Sequence, residues 1–301
     1  VLLEWTAVSI AVLAAAASLL HFRVRRDITV PVFGGALLCA GLVDAFHVLA
    51  ATRVIEARSP NEDFIPFTWA LSRVFNASIL IAGACISIWV SRRIRENTSE
   101  YGYSTLAVIG GGFILSSYLV VHFSAVSESL PQTMHPNALI TRPFDVLPLA
   151  LFVVAGTLIW SWYKQDKSIV KFGLLLSIVP SIITQIHMAF GSTALFDNDF
   201  NIAHFLKIIS YSVVFSAILI DLVFSALKGG DTVGVEQEER RNFDKLVGAF
   251  DIGKAKRPLG LLLPIAAFLL SLIVVFVVSL MFYAEASRLA LNQQMKSLQA
   301  E

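Results

Sequence analysis

Asp44 and His47 stand three residues apart, Trp69 and Arg73 four apart, and Asn201, His204 and Lys207 repeat at three-residue spacing; Gln185 and His187 form a further group. Residues three or four apart are neighbours on one helix face. All of these side chains fall in or at the edges of long apolar segments, where ionisable groups are costly and rarely stand without a partner or a function. Three kinds of chemistry suit them. Asp44 and Arg73 can neutralise one another as a buried ion pair, with Trp69 as an interfacial anchor and Lys207 snorkelling to headgroups. His47, His187 and His204 can converge on a transition metal or ligate a haem b, with Asp44 or Asn201 orienting an imidazole. Arg73 and Lys207, with Trp69, can bind a small anionic or aromatic molecule. The residues alone leave all three open.

The elements that must position these groups are membrane helices. Hydrophobic residues make up 56% of the 301 and charged residues 15%, a composition rare in soluble domains. Apolar stretches of roughly 20 residues recur, the length a bilayer core about 30 Å thick demands. They predict spanning helices near 2–20, 29–51, 67–90, 105–124, 144–163, 172–195, 203–227 and 259–283. Strand-like alternation is absent, which excludes a barrel. The expected architecture is an all-α integral membrane protein: a seven-transmembrane-helix bundle followed by an eighth transmembrane helix.

Basic residues set the expected orientation. Sixteen of the 23 lie after the first, third, fifth and seventh helices, from Arg23 to Arg26, Arg92 to Arg95, Lys164 to Lys171 and Lys228 to Arg257; the opposite loops hold Arg53, Arg58 and Arg142. The positive-inside rule then puts the N-terminus outside and 228–258 in the cytoplasm. Five of the six histidines, all but His21, fall on the outer half.

Three regions follow: residues 1–228 as a seven-helix unit, 229–258 as a charged cytoplasmic linker with a short amphipathic helix around 235–250, and 259–301 as an eighth helix opening an extracytoplasmic helical segment. Gly110, Gly111 and Gly112 predict close helix packing rather than a phosphate loop. Cys39 and Cys85 are expected as buried apolar residues, not a disulfide. Signals for soluble catalysis and nucleic-acid binding are absent. The rival classes are a haem- or metal-binding membrane subunit of a larger complex and a small-solute transporter; against the latter, no repeat is evident and the polar residues form no path to the inner side.

The run Gly41 to His47 resembles the second-helix motif of the third type of bacterial membrane-associated sensor domain, the MASE group. Trp69 through Arg73 resembles its next motif, and Asn201 to Tyr211 its asparagine–histidine–lysine signature opening the last helix. The resemblance covers roughly residues 1–228. It implies a sensory input module of a bacterial inner-membrane receptor, homodimeric, surrounded by membrane lipid, detecting a small-molecule ligand, a cofactor state or a membrane condition. It also implies a cytoplasmic histidine kinase or diguanylate cyclase output. Gln185 stands where the family resemblance leads one to expect a glutamate.

Overall fold

The computed structural model describes residues 1–55, 59–96, 103–127 and 130–227. The expected linker, amphipathic segment, eighth helix and tail lie outside the described residues. Within them the chain forms α1 (Leu2–Arg25), α2 (Thr29–Ala51), α3 (Asn61–Glu96), α4 (Tyr103–Val126), α5 (Val146–Gln165), α6 (Ile169–Ile186) and α7 (Asn198–Leu227). A 3₁₀ turn, Pro143–Asp145, leads into α5, and a π-turn, His187–Gly191, ends α6. Seven helices among the described residues are long and apolar enough to cross a membrane.

Short connections with local caps set where the helices start. Asp27 accepts from the Thr29 backbone N–H at 2.9 Å ahead of α2, and Ser168 accepts from Lys171 N–H at 3.2 Å at the start of α6. Asp197 accepts from Phe200 N–H at 2.8 Å before α7. Each satisfies a donor that the first helical turn leaves without a backbone partner.

Helix adjacency describes a closed ring with one helix outside it. Around the ring run α1, α2, α3, α5, α6 and α7, and α7 returns to α1. The remaining helix, α4, packs on α2 and touches α3; 11% of its most apolar window is buried, against 72% for α2. Close approach around the ring depends on small residues. A side chain at Gly34 or Gly41 in α2 would collide with Ser18 or Ala11 of α1, and one at Gly173 in α6 would strike Ala217 of α7. The Gly110–Gly112 run behaves otherwise: among the described residues an added Cβ at any of the three meets nothing within 4 Å. Its expected packing role is therefore corrected, because α4 stands outside the ring and turns that stretch away from its neighbours. Cys39 is buried as expected, whereas Cys85 is exposed.

The apolar core fills the ring, with Ile10 and Ala14 of α1, Phe33 and Leu37 of α2, Phe152 and Ile159 of α5, Leu174 of α6 and Tyr211 of α7 among its members. The ring has two chemically distinct ends. We call upper the end where α1, α3, α5 and α7 begin. At the lower end His21 Nε2 contacts Asp221 Oδ2, and Arg25 Nη1 stands 3.7 Å from the same oxygen, joining α1 to α7.

Candidate functional site

Each of the six ring helices sends a polar side chain into one buried group at the upper end. From α1 comes Glu4; from α2, Asp44 and His47; from α3, Thr68, Trp69, Arg73 and Asn76. Asp145 enters at the start of α5, Gln185 from the last turn of α6, and His204, Lys207 and Tyr211 from α7. All of these residues are at most 4% exposed. Among the described residues α4 contributes none.

The contacts run continuously across the ring. Lys207 Nζ pairs with Asp44 Oδ1 at 2.8 Å. The other Asp44 oxygen accepts from the Tyr211 hydroxyl at 2.9 Å, and that hydroxyl accepts from Asn76 Nδ2 at 2.9 Å. Glu4 Oε1 lies 3.0 Å from His204 Nε2, 3.2 Å from His47 Nε2 and 3.9 Å from Lys207 Nζ. On the other flank, Trp69 Nε1 donates to Asp145 Oδ1 at 3.1 Å. With its amide oriented to satisfy both ends, Gln185 accepts from Arg73 Nε at 2.9 Å and donates to Asp145 Oδ1 at 3.1 Å.

Trp69 is the hub. Its ring lies 4.2 Å from the His204 ring, between centroids, and the Lys207 ammonium sits 5.0 Å and the Arg73 guanidinium 5.9 Å from its centre. Phe200 covers the His204 ring at 4.0 Å, and Phe152 lies 5.0 Å from the Arg73 guanidinium. Cation–π contacts of this kind gain strength where water is excluded. They give Arg73 much of the solvation that its two terminal nitrogens, buried without hydrogen-bond partners, lack.

The remaining ring nitrogens fix the tautomers. His204 Nδ1 faces the Phe200 carbonyl at 2.7 Å, and a carbonyl only accepts, so that nitrogen carries the hydrogen. His47 Nδ1 lies 2.8 Å from the Thr68 hydroxyl, whose own hydrogen goes to the Ile65 carbonyl at 3.0 Å. His47 Nδ1 therefore also donates. Both Nε2 atoms are left facing the same Glu4 oxygen.

Of the residues singled out from sequence, Asp44, His47, Trp69, Arg73, Gln185, His204 and Lys207 meet here. Asn201 does not: it is exposed, and its amide donates to the Phe196 carbonyl at 3.1 Å. The reason is angular. At about 100° per residue, three-residue steps drift, so positions 201 and 207 stand roughly 120° apart around α7. His187 also lies elsewhere, half-exposed and joined to Asp199 at 2.7 Å. It falls on the π-turn, whose widened geometry frees the Ala189 carbonyl to accept from Thr141 Oγ1 at 3.1 Å and Arg142 N–H at 3.2 Å. The expected set of His47, His187 and His204 is thus not assembled, and Glu4 stands in the third place. A haem between His47 and His204 would need the room that the Glu4 carboxylate fills. The alternative of a direct Asp44–Arg73 pair is not realised either, since Asp44 takes Lys207 and Tyr211 instead.

Glu4, Thr68, Asn76, Asp145 and Tyr211 were not found from sequence, yet two carried a signal. Glu4 is the only acidic residue in the first 26, an isolated charge in an apolar helix. Tyr211 lies one turn beyond Lys207 on the same face.

Just above the cluster, burial pushes the Arg142 guanidinium below its ordinary range, against the pull of Asp145 and Asp197. Asp197 shows the opposite balance: slight desolvation raises its carboxyl, but the backbone N–H groups of Phe200, Ala194 and Thr193 outweigh this and hold it below the usual carboxylate value.

Comparison with known proteins adds one match. The model of a family described as a membrane-associated sensor domain, MASE3, matches residues 1–223, which take in the ring up to the last turn of α7. No curated protein and no solved structure matches the chain.

Proposed function

The chain belongs to the MASE3 family of membrane-associated sensor domains, and on that premise we propose that the upper cluster is its sensing site, facing the outside of a bacterial inner membrane. The observation that carries this reading is that all six ring helices end on one buried polar network. A ligand, or a change in charge state there, acts on every helix of the ring at once. The bias of Lys and Arg toward the lower-end loops supports an N-out orientation, and with it a cytoplasmic exit for α7.

In this mechanism α1 and α7 carry the signal. They share the Glu4–His204 contact at the upper end and the His21–Asp221–Arg25 contact at the lower end. Ligand binding stronger in one packing state than in the other shifts the population between them. Helix α7 then passes the change into the charged segment 229–258 and on to a cytoplasmic output domain of the histidine kinase or diguanylate cyclase type. Cytoplasmic-side and outer-side reporter fusions after residues 26 and 55 test the orientation. Output measured in the full-length receptor tests the site: His204→Ala and Asp44→Asn should lock it high or low with membrane levels unchanged, and normal regulation in both variants overturns the proposal.

A further inference from the structure

We infer that Glu4, His47 and His204 form a binding site for one divalent first-row transition cation. Three observations carry it together. First, three donor atoms converge: Glu4 Oε1 lies 3.0 Å from His204 Nε2 and 3.2 Å from His47 Nε2. All three donor atoms lie within 4.8 Å of one another, and a cation held tetrahedrally at about 2.0–2.2 Å sets neighbouring ligands roughly 3.3–3.6 Å apart, so small side-chain adjustments would seat it.

Second, both imidazoles are already oriented to ligate through Nε2. Each Nδ1 is committed as a donor, His204 to the Phe200 carbonyl and His47 to the Thr68 hydroxyl. Each Nε2 therefore faces the carboxylate, where a cation would take the place of the proton held between them. Outer partners of this type orient metal-bound histidines, and their loss typically weakens affinity 10–100-fold.

Third, the nearest cation is engaged elsewhere. Lys207 Nζ is 2.8 Å from Asp44 but 3.9 Å from Glu4. The Glu4 charge is thus left to the two imidazoles. The ligands come from α1, α2 and α7, so the cation would tie together three ring helices that no single helix motif in the sequence links.

Two imidazoles and one carboxylate select zinc, copper, nickel, cobalt or ferrous iron over magnesium or calcium, which take all-oxygen sites. Three protein ligands match sites that keep a coordination position open. Binding displaces protons from the site, because the imidazoles must be neutral at Nε2 and Glu4 ionised. Uptake therefore weakens as pH falls. The binding stands on its own geometry; its role as the sensed quantity rests on the reading of the upper cluster above.

The test uses the whole chain in lipid nanodiscs, stripped of metal and dialysed against Zn²⁺ alone. Elemental analysis should find about one zinc per chain, and zinc absorption-edge spectra should show imidazole scattering. Glu4→Gln and His204→Ala should each lose at least tenfold in affinity and Thr68→Val 10–100-fold, while His187→Ala, which alters the half-exposed histidine–aspartate pair, keeps full uptake. A wild-type chain that takes up no zinc beyond the Glu4→Gln/His204→Ala double variant overturns the site, as does uptake abolished by His187→Ala. Zinc uptake by the wild type is measured independently of any variant, so misfolding of a variant does not protect the proposal. The two readings separate cleanly: an output altered by Glu4→Gln in a receptor that binds no zinc removes the cation and leaves the sensing site. Zinc bound at Glu4 with output indifferent to it does the reverse.

Discussion

At its upper end the ring joins six helices through buried polar side chains, from Glu4 on α1 to Lys207 on α7. At its lower end the described ion pairs are local or pairwise: His21 and Arg25 with Asp221 between α1 and α7, and Lys171 with Asp166 at 2.8 Å beside the start of α6. The two ends also differ in water access. Lys207 and Asp44 side chains are each 1% exposed; at the lower end His21 and Asp221 are also buried, at 1% and 9%, but Arg25 is 22% and Asp166 56% exposed. A network closed to water cannot lose one member cheaply. A pair near headgroups can, because a long side chain reaches water by snorkelling. On the proposed reading the upper end responds as a unit, and the lower end passes on the relative position of two helices.

The contrast breaks first if Lys207→Met is mild. Removing the ammonium leaves Asp44 charged and buried, and losing one partner of a buried pair costs about 3–5 kcal/mol. Unfolding in nanodiscs should show that loss, with part regained in Lys207→Met/Asp44→Leu; a shift near zero would mean that the cluster is already hydrated.

Asp221→Asn sharpens the lower side of the comparison. His21 keeps a hydrogen-bond partner in the amide and Arg25 turns to the headgroups, so the cost should stay near about 1–2 kcal/mol in the same measurement. Its larger effect should fall on output.

Next comes the cap above α7. The Asp197 carboxyl is held below its ordinary value by three backbone N–H groups, so its contribution is fully present above about pH 4, the ordinary carboxylate value. It is lost as pH falls through the lower folded value. Asp197→Ala should cost about 1 kcal/mol near neutrality and flatten the acid limb of the stability profile.

Asn201→Ala is the smallest. Its amide donates to the Phe196 carbonyl at the exposed start of α7, and a change within about 0.5 kcal/mol is expected, with output unaltered.

These cases also show what the residues alone could convey. Seven helices were legible because a bilayer imposes length and apolarity on each segment independently of its neighbours. The predicted and observed ranges of α2 coincide at 29–51, and α3 runs several residues further at both ends because its polar turns continue the helix beyond the apolar stretch. Asp44, His47 and Lys207 were legible for a related reason: charge inside hydrocarbon is conspicuous. Which face of each helix turns inward was not. That depends on where Gly41 lets α1 approach, where Gly173 admits Ala217, and where the π-turn swings His187 out toward Asp199. Glu4 was missed because no partner stands near it in sequence, its imidazoles lying 43 and 200 residues away. The linker and eighth helix expected over residues 229–301 lie outside the described residues.

The decisive measurement is a double-mutant cycle on the output of the full-length receptor, combining Glu4→Gln at the upper end with Asp221→Asn at the lower. If α1 and α7 carry the state of the upper cluster across the membrane, the two effects must be strongly non-additive, the second variant changing little once the first is present. Additive effects, or an output blind to Glu4→Gln, would contradict a sensing role for the cluster.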